Sequence, residues 1–413
     1  MTASIKRPRY EAQLQHWRNL PLIKAVTGIR RCGKSTLLEL FRQELRAEGV
    51  PKERLLTYNL EDPAVERAFG RGLSLYDDVV KRRAASQWTY VFIDEAQHLP
   101  EFERTVTGLN LLDRVDVYVT GSNSRFLSGD LATRLTGRYV EISMLPLSYA
   151  EFISASAALP TLGAPAPGRP AQDALGVYLD TGGFPFALQL PTDQMRRQYL
   201  TDVLDSVILK DVATRQESVS PATMSGVAEF LFDNVGNLTT IKKIADTMSS
   251  AGRRTGRTSV DNYVAGLVDA YLFYPARRYD IKGKAYLENS AKYFAVDLGM
   301  RRAMLGSKDP DLGHQLENLV FLELLRRGAK VHVGRVGSAE VDFVAEIGGD
   351  TTYYQVAARA DDPGVLEREL SPLMAIEDNH PKILLTASGQ GANHSGIQQI
   401  DIRDWLLDDP AGQ

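Results

Sequence analysis

The chain has 413 residues, of which 44% are hydrophobic and 24% charged, and its formal net charge is −4. This length predicts two to four domains, the composition excludes global disorder, and the charge excludes an overall basic field that would draw the protein to nucleic acid. The single cysteine, Cys32, excludes an internal disulfide, and no apolar run approaches the length of a membrane span, so we expect a cytoplasmic protein with no membrane partner.

The first motif is VTGIRRCGKSTLLELF, residues 26–41, which contains the P-loop pattern G-x-x-x-x-G-K-[ST]. A short apolar strand precedes it and a helical apolar pattern follows it, so bound phosphates would lie at a helix N-terminus. Lys34 is predicted to reach the β- and γ-phosphates, and the Ser35 hydroxyl to bind Mg²⁺. The pattern therefore predicts an ATP and Mg²⁺ site whose nucleotide-binding residues are Gly28, Ile29, Arg30, Arg31, Cys32, Gly33, Lys34, Ser35 and Thr36.

The second motif is YVFIDEAQHL, residues 90–99, an apolar strand that ends in two carboxylates. Ligands bind at the carboxyl ends of such strands. Asp94 is predicted to hold the Mg²⁺ water shell together with Ser35, and Glu95 to polarise the attacking water.

Two further strands complete the predicted site. RLLTYNLED, residues 54–62, lies between the two motifs, an arrangement that marks ATPases with a catalytic glutamate. VDVYVTGSNSRFL, residues 115–127, should lie beside the Asp94 strand, which would let Asn123 orient the water near the γ-phosphate. A turn or helix cap is the alternative role of Asn123.

The segment LATRLTGRYVEISMLPLSYAEF, residues 131–152, is the most specific part of a family resemblance. Together with GIRRCGKST, FIDEAQ and TGSNS, it resembles the bacterial and archaeal AAA+-type ATPases that carry a C-terminal restriction-endonuclease-like domain of unknown function. The resemblance implies that Arg138, or alternatively Arg134, is an arginine finger near a γ-phosphate, often donated by a neighbouring subunit of a homo-oligomer. A surface arginine in an ion pair is an equal alternative.

The middle of the chain begins with an Ala/Pro/Gly/Ser tract, residues 154–176, which predicts a flexible linker. In YLDTGGFPFAL, residues 178–188, the resemblance suggests that Gly183 and Pro185 pack near the adenine and couple the nucleotide to a helical lid. Taken alone, this pattern is a turn.

Three helical segments and a β-hairpin follow residue 220, with the turn of the hairpin at Lys282–Gly283. This order is the winged-helix plan, whose third helix can enter a major groove of DNA. A protein-docking role is the alternative. The basic residues predicted to contact DNA phosphates are Arg253, Arg254, Arg257, Arg277, Arg278, Lys282 and Lys284.

Residues 314–359 resemble the PD-(D/E)xK nuclease core, with Glu317 on a helix, Asp342 on one strand and Gln355 on the next. The lysine position holds Ala357, and Arg359 cannot deprotonate to act as a base. We therefore expect a nuclease fold that has lost its chemistry. A plain α/β interaction domain is a close competitor.

The predicted fold class is α/β: an AAA+-type P-loop ATPase core (1–150), a linker and helical lid (151–215), a winged-helix domain (216–300) and a PD-(D/E)xK-like domain (301–413). The predicted function is a Mg²⁺-dependent ATPase that repositions these domains on DNA. The alternative is a nucleotide-gated signalling or defence scaffold that assembles with a protein partner.

Overall fold

The computed structural model describes residues 5–84, 86–124, 137–158, 174–212, 220–253, 255–306, 311–388 and 391–408. The chain forms two compact units, one built from residues 1–145 with 269–271 and the other from 146–268 with 272–411. In the part of the chain that is described, no helix is both long and apolar enough to cross a membrane.

The first unit is a parallel sheet with helices packed on it. Its elements are α1 (Pro8–His16), β1 (Ile23–Thr27), α2 (Lys34–Ala47), a 3-10 turn (Lys52–Arg54), β2 (Leu55–Asn59), α3 (Pro63–Phe69), α4 (Ser74–Arg82), β3 (Thr89–Asp94), a second 3-10 turn (Ala96–His98), α5 (Phe102–Asn110), β4 (Val115–Gly121) and β5 (Tyr139–Ser143).

The strand order of this sheet is β2-β3-β4-β1-β5, and every neighbouring pair is parallel. All residues of β1 and β4 are buried, as expected for strands covered on both faces. As predicted, β4 lies directly beside β3. The order places β4 between the P-loop strand β1 and the acidic strand β3, so the loops after these three strands meet at one edge.

The second unit combines helices with a mixed sheet. Its elements are α6 (Tyr149–Ala158), α7 (Ala174–Thr181), a 3-10 turn (Ala187–Gln189), α8 (Asp193–Ser206), a π-helical turn (Val207–Val212), α9 (Pro221–Asp233), β6 (Leu238–Thr239), α10 (Ile241–Ser250), α11 (Arg257–Asp269), β7 (Phe273–Asp280), β8 (Ala285–Ala295), α12 (Leu298–Leu305), α13 (Leu312–Arg326), β9 (Lys330–Val336), β10 (Ala339–Ile347), β11 (Asp350–Ala357), α14 (Pro363–Met374), β12 (Lys382–Thr386), β13 (Ala392–His394), β14 (Ile397–Asp401) and α15 (Ile402–Leu407).

A single nine-stranded sheet runs through this unit in the order β13-β14-β12-β11-β10-β9-β7-β8-β6. The hairpin β7–β8 joins the C-terminal strands because β7 pairs in parallel with β9. Phe294 of β8 stacks on Phe321 of α13, with ring centroids 4.2 Å apart, and both rings are fully buried. The predicted boundaries at residues 215 and 300 fall inside this unit.

Local sequence explains several element ends. Ser220 and Thr240 cap α9 and α10 by accepting hydrogen bonds from the backbone N–H groups three residues later. The hairpin turns at Lys282–Gly283 as predicted, because Asp280 accepts hydrogen bonds from both backbone N–H groups.

Two predicted segments end differently in the structure. The third helical segment after residue 220, SVDNYVAGLVDAYLFY, predicts a helix over residues 259–274, but the helix stops at Asp269 and β7 begins at Phe273. The start of the predicted linker is helical, since α6 runs to Ala158, while residues 159–173 lie outside the described part of the chain.

Candidate nucleotide-binding site

The P-loop runs from the end of β1 to the first turn of α2. Three of its residues have positive φ angles: 141° at Gly28, 69° at Arg31 and 109° at Gly33. A Cβ atom at Gly28 would lie 2.1 Å from the carbonyl oxygen of Met144, which directly follows β5. Only glycine therefore allows this close approach. The loop ends at the N-terminus of α2, where helix geometry favours a bound anion.

Lys34 is the first residue of α2, and its ammonium lies against the loop. Its Nζ donates hydrogen bonds to the carbonyl oxygens of Gly28 at 2.9 Å and Ile29 at 3.1 Å. The residue is only 3% exposed. These contacts fix a positive charge on the inner side of the loop, where a phosphate group would meet it.

Asp94 brings the P-loop and the neighbouring strands together. Its Oδ1 accepts hydrogen bonds from the Ser35 hydroxyl at 2.9 Å and from the Thr120 hydroxyl at 2.6 Å. Burial raises the pKa of Asp94, whereas these two hydrogen bonds oppose the rise. A hydroxyl and a carboxylate at this separation are oxygen ligands of the kind that Mg²⁺ binds, so the donor set fits that ion.

Glu95 is held in a left-handed backbone conformation with φ 51°. Its N–H donates to the Thr120 hydroxyl at 2.8 Å, and its carboxylate accepts a hydrogen bond from the Gln97 amide. The same amide also donates to the Ser122 hydroxyl at 3.3 Å. The Glu95 carboxylate is therefore oriented by neighbours on β4 and on the loop that follows β3.

Thr120 and Gln97 were not identified from the sequence. Thr120 is the penultimate residue of β4, and only the pairing of β3 with β4 brings its hydroxyl to Asp94. Gln97 stands two residues after Glu95 in DEAQ, and that short spacing was the available signal. Asn123 follows β4 and is 2% exposed, so the structure places it at the same edge of the sheet.

Other predicted nucleotide-binding residues occupy varied environments. The side chain of Ile29 is in the core, whereas Thr36 is exposed on α2. Arg30 forms an ion pair with Glu61 at 2.7 Å. Their binding roles remain predictions.

The thiol of Cys32 points away from the inner face of the P-loop. Its Sγ donates to the Met144 carbonyl at 3.5 Å, and the residue is fully buried. The guanidinium of Arg7 donates to the Cys32 carbonyl at 3.3 Å from the same side. This thiol is therefore a small side chain that fills the space beside β5, and the nucleotide-binding role of Cys32 stays a prediction.

Arg138 precedes β5 and is exposed. Its carbonyl oxygen accepts a hydrogen bond from the N–H of Ile23, the first residue of β1. Because β1 and β5 are parallel, Arg138 lies at the edge where β1 begins, while the P-loop leaves the opposite edge. The five residues of β1 separate these edges by about 16 Å. The structure therefore does not bring Arg138 to the P-loop of its own chain, and Arg134 lies outside the described residues.

Gly183 and Pro185 belong to the second unit. The Gly183 N–H donates to Asp297 at 2.6 Å, and its carbonyl accepts from the N–H of Leu147 at 2.8 Å. These contacts lock the turn after α7. A role beside the adenine remains a prediction.

The predicted DNA-binding residues lie in two segments of the second unit, around the start of α11 and on the hairpin β7–β8. Arg253 and Arg257, at the start of α11, are exposed, and Arg254 is outside the described residues. On the hairpin, Arg277, Lys282 and Lys284 are exposed and Arg278 is half-buried. Lys282 forms a surface ion pair with Glu377 at 3.4 Å.

The predicted nuclease residues do converge. The backbone N–H of Asp342 donates to the Gln355 side chain at 3.3 Å, and Gln355 donates in turn to Glu369 at 3.2 Å. Burial and the nearby Glu317 raise the pKa of Asp342 well above its ordinary value.

Lys292 of β8, another strand of the same sheet, places an ammonium among these carboxylates. Its Nζ lies 2.8 Å from Glu317, 2.9 Å from Glu340 and 3.9 Å from Asp342. Sequence reasoning missed it because Lys292 lies 25 residues before Glu317 in the chain, outside the segment that carries the motif. No group of three or more His, Cys, Asp or Glu side chains among the described residues is arranged to hold a metal ion.

Comparison with known proteins matches two parts of the chain to families and finds relatives along most of its length. Residues 21–153 match the family described as an AAA domain, and residues 172–311 match one described as a domain of unknown function. An uncharacterized protein of Haemophilus influenzae strain Rd is 36% identical over 408 residues, covering 98% of this chain and 99% of that protein. A Methanocaldococcus jannaschii protein is 28% identical over 313 residues. This match covers 74% of the present chain and 67% of the length of that protein.

Among solved structures, the Aeropyrum pernix ORC1 protein in complex with DNA covers 74% of this chain and 94% of its own, with 14% identity and a TM-score of 0.35. Cdc6p from Pyrobaculum aerophilum covers 65% and 85%, respectively, with 14% identity and a TM-score of 0.32. The 36% identity along nearly the whole of both chains is the decisive match. This chain therefore belongs to the same family as the Haemophilus influenzae protein, and it carries a P-loop ATPase domain of the AAA type in residues 21–153.

Proposed function

We propose that the first unit binds ATP with Mg²⁺ and hydrolyses it. The contact that carries the proposal is the hydrogen bond between Ser35 and Asp94, since it places the hydroxyl and the carboxylate of two separate motifs 2.9 Å apart. Bound Mg²⁺ would neutralise charge on the phosphates. Lys34 would leave its carbonyl partners for the phosphate oxygens, which are stronger acceptors.

Glu95 is the proposed general base. The Gln97 amide and the Thr120 hydroxyl hold its side chain and backbone, so its carboxylate keeps one orientation toward an attacking water. Asn123, buried in the loop that follows β4, would orient the same water.

Arg138 is proposed to act in the site of a neighbouring subunit. It is exposed and lies at the far edge of its own sheet, which suits contact with a second copy better than contact with its own P-loop. This role requires a homo-oligomer.

The second unit is proposed to contact DNA through a winged helix. The order α9-β6-α10-α11-β7-β8, with β6 antiparallel to β8, supports this assignment. The exposed side chains of Arg253, Arg257, Arg277 and Lys284 would contact phosphates. Nucleotide turnover would then change the position of this unit on DNA.

The C-terminal part of the second unit is proposed to be a PD-(D/E)xK-like fold without nuclease activity. The order α13-β9-β10-β11-α14-β12 supports that fold. Lys292, Glu317, Asp342 and Gln355 are each less than 10% exposed, so a phosphodiester would have little access to them. We expect no DNA cleavage with Mg²⁺ or Mn²⁺; cleavage that disappears in Asp342→Ala would contradict this.

ATP turnover with and without DNA tests the function. Steady-state rates of the purified protein should be measured with single-stranded, duplex and branched DNA at two salt concentrations, with Lys34→Ala as the background control. Salt-sensitive stimulation supports the proposal, because phosphate contacts release counterions. Turnover that DNA does not change favours the nucleotide-gated scaffold, and absence of turnover above Lys34→Ala overturns the ATPase assignment.

A further inference from the structure

Residues Asp269, Ala270 and Tyr271, here named the 269–271 tripeptide, belong to the first unit, although the chain on both sides belongs to the second. Asp269 is the last residue of α11, and β7 begins two residues after Tyr271. Ala270 and Tyr271 are 1% and 7% exposed, so the tripeptide is built into the interior.

Asp269 contacts the loop after β4. The Ser124 hydroxyl donates a hydrogen bond to Asp269 Oδ1 at 2.9 Å. Ser124 directly follows Asn123, and Ser122 on the other side accepts from the Gln97 amide that holds Glu95. The loop that carries Asn123 is therefore held on both sides. Ser122 bonds Gln97, which also bonds Glu95, and Ser124 bonds Asp269.

Tyr271 contacts β5 and, through the Glu141 carboxylate, the end of β1, the strand that leads into the P-loop. Its hydroxyl donates to Glu141 Oε1 at 3.4 Å, and the same oxygen accepts from the Thr27 hydroxyl at 2.6 Å. Thr27 is the last residue of β1 and immediately precedes Gly28. Burial and the nearby Glu141 raise the pKa of Tyr271, so its hydroxyl remains a donor throughout the physiological range.

The backbone of Tyr271 is strained, with φ 58° in the left-handed region. This conformation is unfavourable for a non-glycine residue and persists only where the surroundings hold it. Here the hydroxyl of Tyr271 is held by Glu141 of β5, and the neighbouring Asp269 is held by Ser124 in the loop after β4.

We propose that the 269–271 tripeptide positions the P-loop entrance and the Asn123 loop for hydrolysis, and that it links the nucleotide site to α11. The inference rests on the proposed ATPase activity. Two hydroxyls on one Glu141 oxygen fix Thr27, and the carbonyl of Thr27 also accepts from the Met144 N–H at 2.7 Å, so the start of the P-loop is held on two sides. Asp269 is the last residue of α11 and bonds Ser124, so a displacement of the Asn123 loop would move the end of that helix.

Steady-state kinetics of Tyr271→Phe test the positioning role. The variant keeps the ring and loses the hydroxyl that bonds Glu141, so kcat should fall about 3- to 10-fold while KM changes less than about 2-fold. Tyr354→Phe is the matched control, since Tyr354 is a similarly buried tyrosine on β11. Equal kcat in the two variants and the wild type overturns the role of Tyr271.

Substitutions of Asp269 and Ser124 test the hydrogen bond between them. Asp269→Asn keeps an acceptor for Ser124 and should retain near wild-type kcat, whereas Asp269→Ala should lose activity. Ser124→Ala removes the same bond from the other side and should reproduce that loss even if Asp269→Ala does not fold. Equal activity of Asp269→Ala and Asp269→Asn contradicts the proposal.

Hydrogen exchange tests the link to α11. In the wild type, a non-hydrolysable ATP analogue with Mg²⁺ should change amide exchange in residues 257–269, and Asp269→Ala should remove that change while still binding the analogue. Unchanged exchange in a wild type that binds the analogue overturns the link. A wild type that neither binds nor hydrolyses ATP would instead contradict the proposed function.

Discussion

The ammonium of Lys292 on β8 lies 2.8 Å from the carboxylate of Glu317 on α13, and both side chains are almost completely buried. This ion pair ties the hairpin β7–β8 to the helix that begins the C-terminal α/β region. The carboxylates around Lys292 raise its pKa despite its burial, so the lysine is charged at neutral pH.

Removing this ammonium should strongly destabilise the second unit. We expect Lys292→Ala to lower the free energy of unfolding by about 3–5 kcal/mol, because carboxylates are left buried without their counter-ion. Urea unfolding followed by circular dichroism measures the change. Lys330→Ala, an exposed lysine on β9, is the control and should change stability by less than about 0.5 kcal/mol. A loss below about 1 kcal/mol in Lys292→Ala would show that the cluster relaxes without it.

Lys34→Ala and Glu95→Gln should separate ATP binding from hydrolysis. Lys34→Ala should abolish binding, since it removes the charge that the P-loop holds for the phosphates. Glu95→Gln should bind ATP and turn over about 10²- to 10⁴-fold more slowly, because only the general base is lost. Fluorescent-nucleotide titration and phosphate release measure the two effects. Normal turnover in Glu95→Gln would assign the base elsewhere.

Mixing two inactive variants tests whether Arg138 acts in a neighbouring subunit. Arg138→Ala retains Glu95, and Glu95→Gln retains Arg138, so some interfaces of a mixed oligomer would contain both groups. We expect partial recovery of phosphate release on mixing. Background turnover in an oligomer shown to contain both chains would leave Arg138 a structural or surface residue.

Charge reversal at Arg253, Arg254 and Arg257 should weaken DNA binding and leave basal ATP turnover intact. The slope of log affinity against log salt is negative, and each lost phosphate contact makes it shallower by about 0.9 on duplex DNA. Fluorescence anisotropy at several salt concentrations measures the slope. Lys52→Glu, an exposed change in the first unit, is the control. An unaltered slope in the triple variant would favour a protein-docking role for the winged helix.

The stability of the second unit should fall as the pH rises from about 4 to 7 through the ionisation of Asp297. Burial raises the pKa of this carboxyl to about 6, although backbone N–H groups of Gly183 and Met300 donate to it. The folded state therefore binds the proton more tightly than the unfolded state does. Full stabilisation is present below the unfolded pKa near 4; it is lost as the pH rises through the folded pKa, and the total loss of about 3 kcal/mol is reached near pH 7.

Asp297→Asn should remove this pH dependence, because asparagine does not ionise. Unfolding free energies at pH 4.5, 5.5 and 6.5, compared between wild type and variant, isolate the contribution of this one group. Asp362→Asn is the control, as Asp362 also caps a helix but is exposed. The same slope in wild type and Asp297→Asn would assign the dependence to other carboxyls.

The P-loop and the acidic strand could be predicted from the sequence because their information is local. The spacing of Gly28, Gly33 and Lys34 determines a loop bend, and a continuous apolar run before Asp94 determines a buried parallel strand. The position of β4 beside β3 followed from the rule that successive strands tend to be neighbours. The order of helices and hairpin in the second unit was visible in the same way, through periodicity and turn residues.

The partners of these residues were decided only by the tertiary structure. Thr120, Lys292 and Tyr271 carry no motif, and each reaches its partner from another strand or from more than a hundred residues away along the chain. Likewise, the pairing of β7 with β9 merges two predicted domains into one sheet. Such contacts depend on which side chains the packed strands and helices bring together, and periodicity along one segment carries no information about the segment that will pack against it.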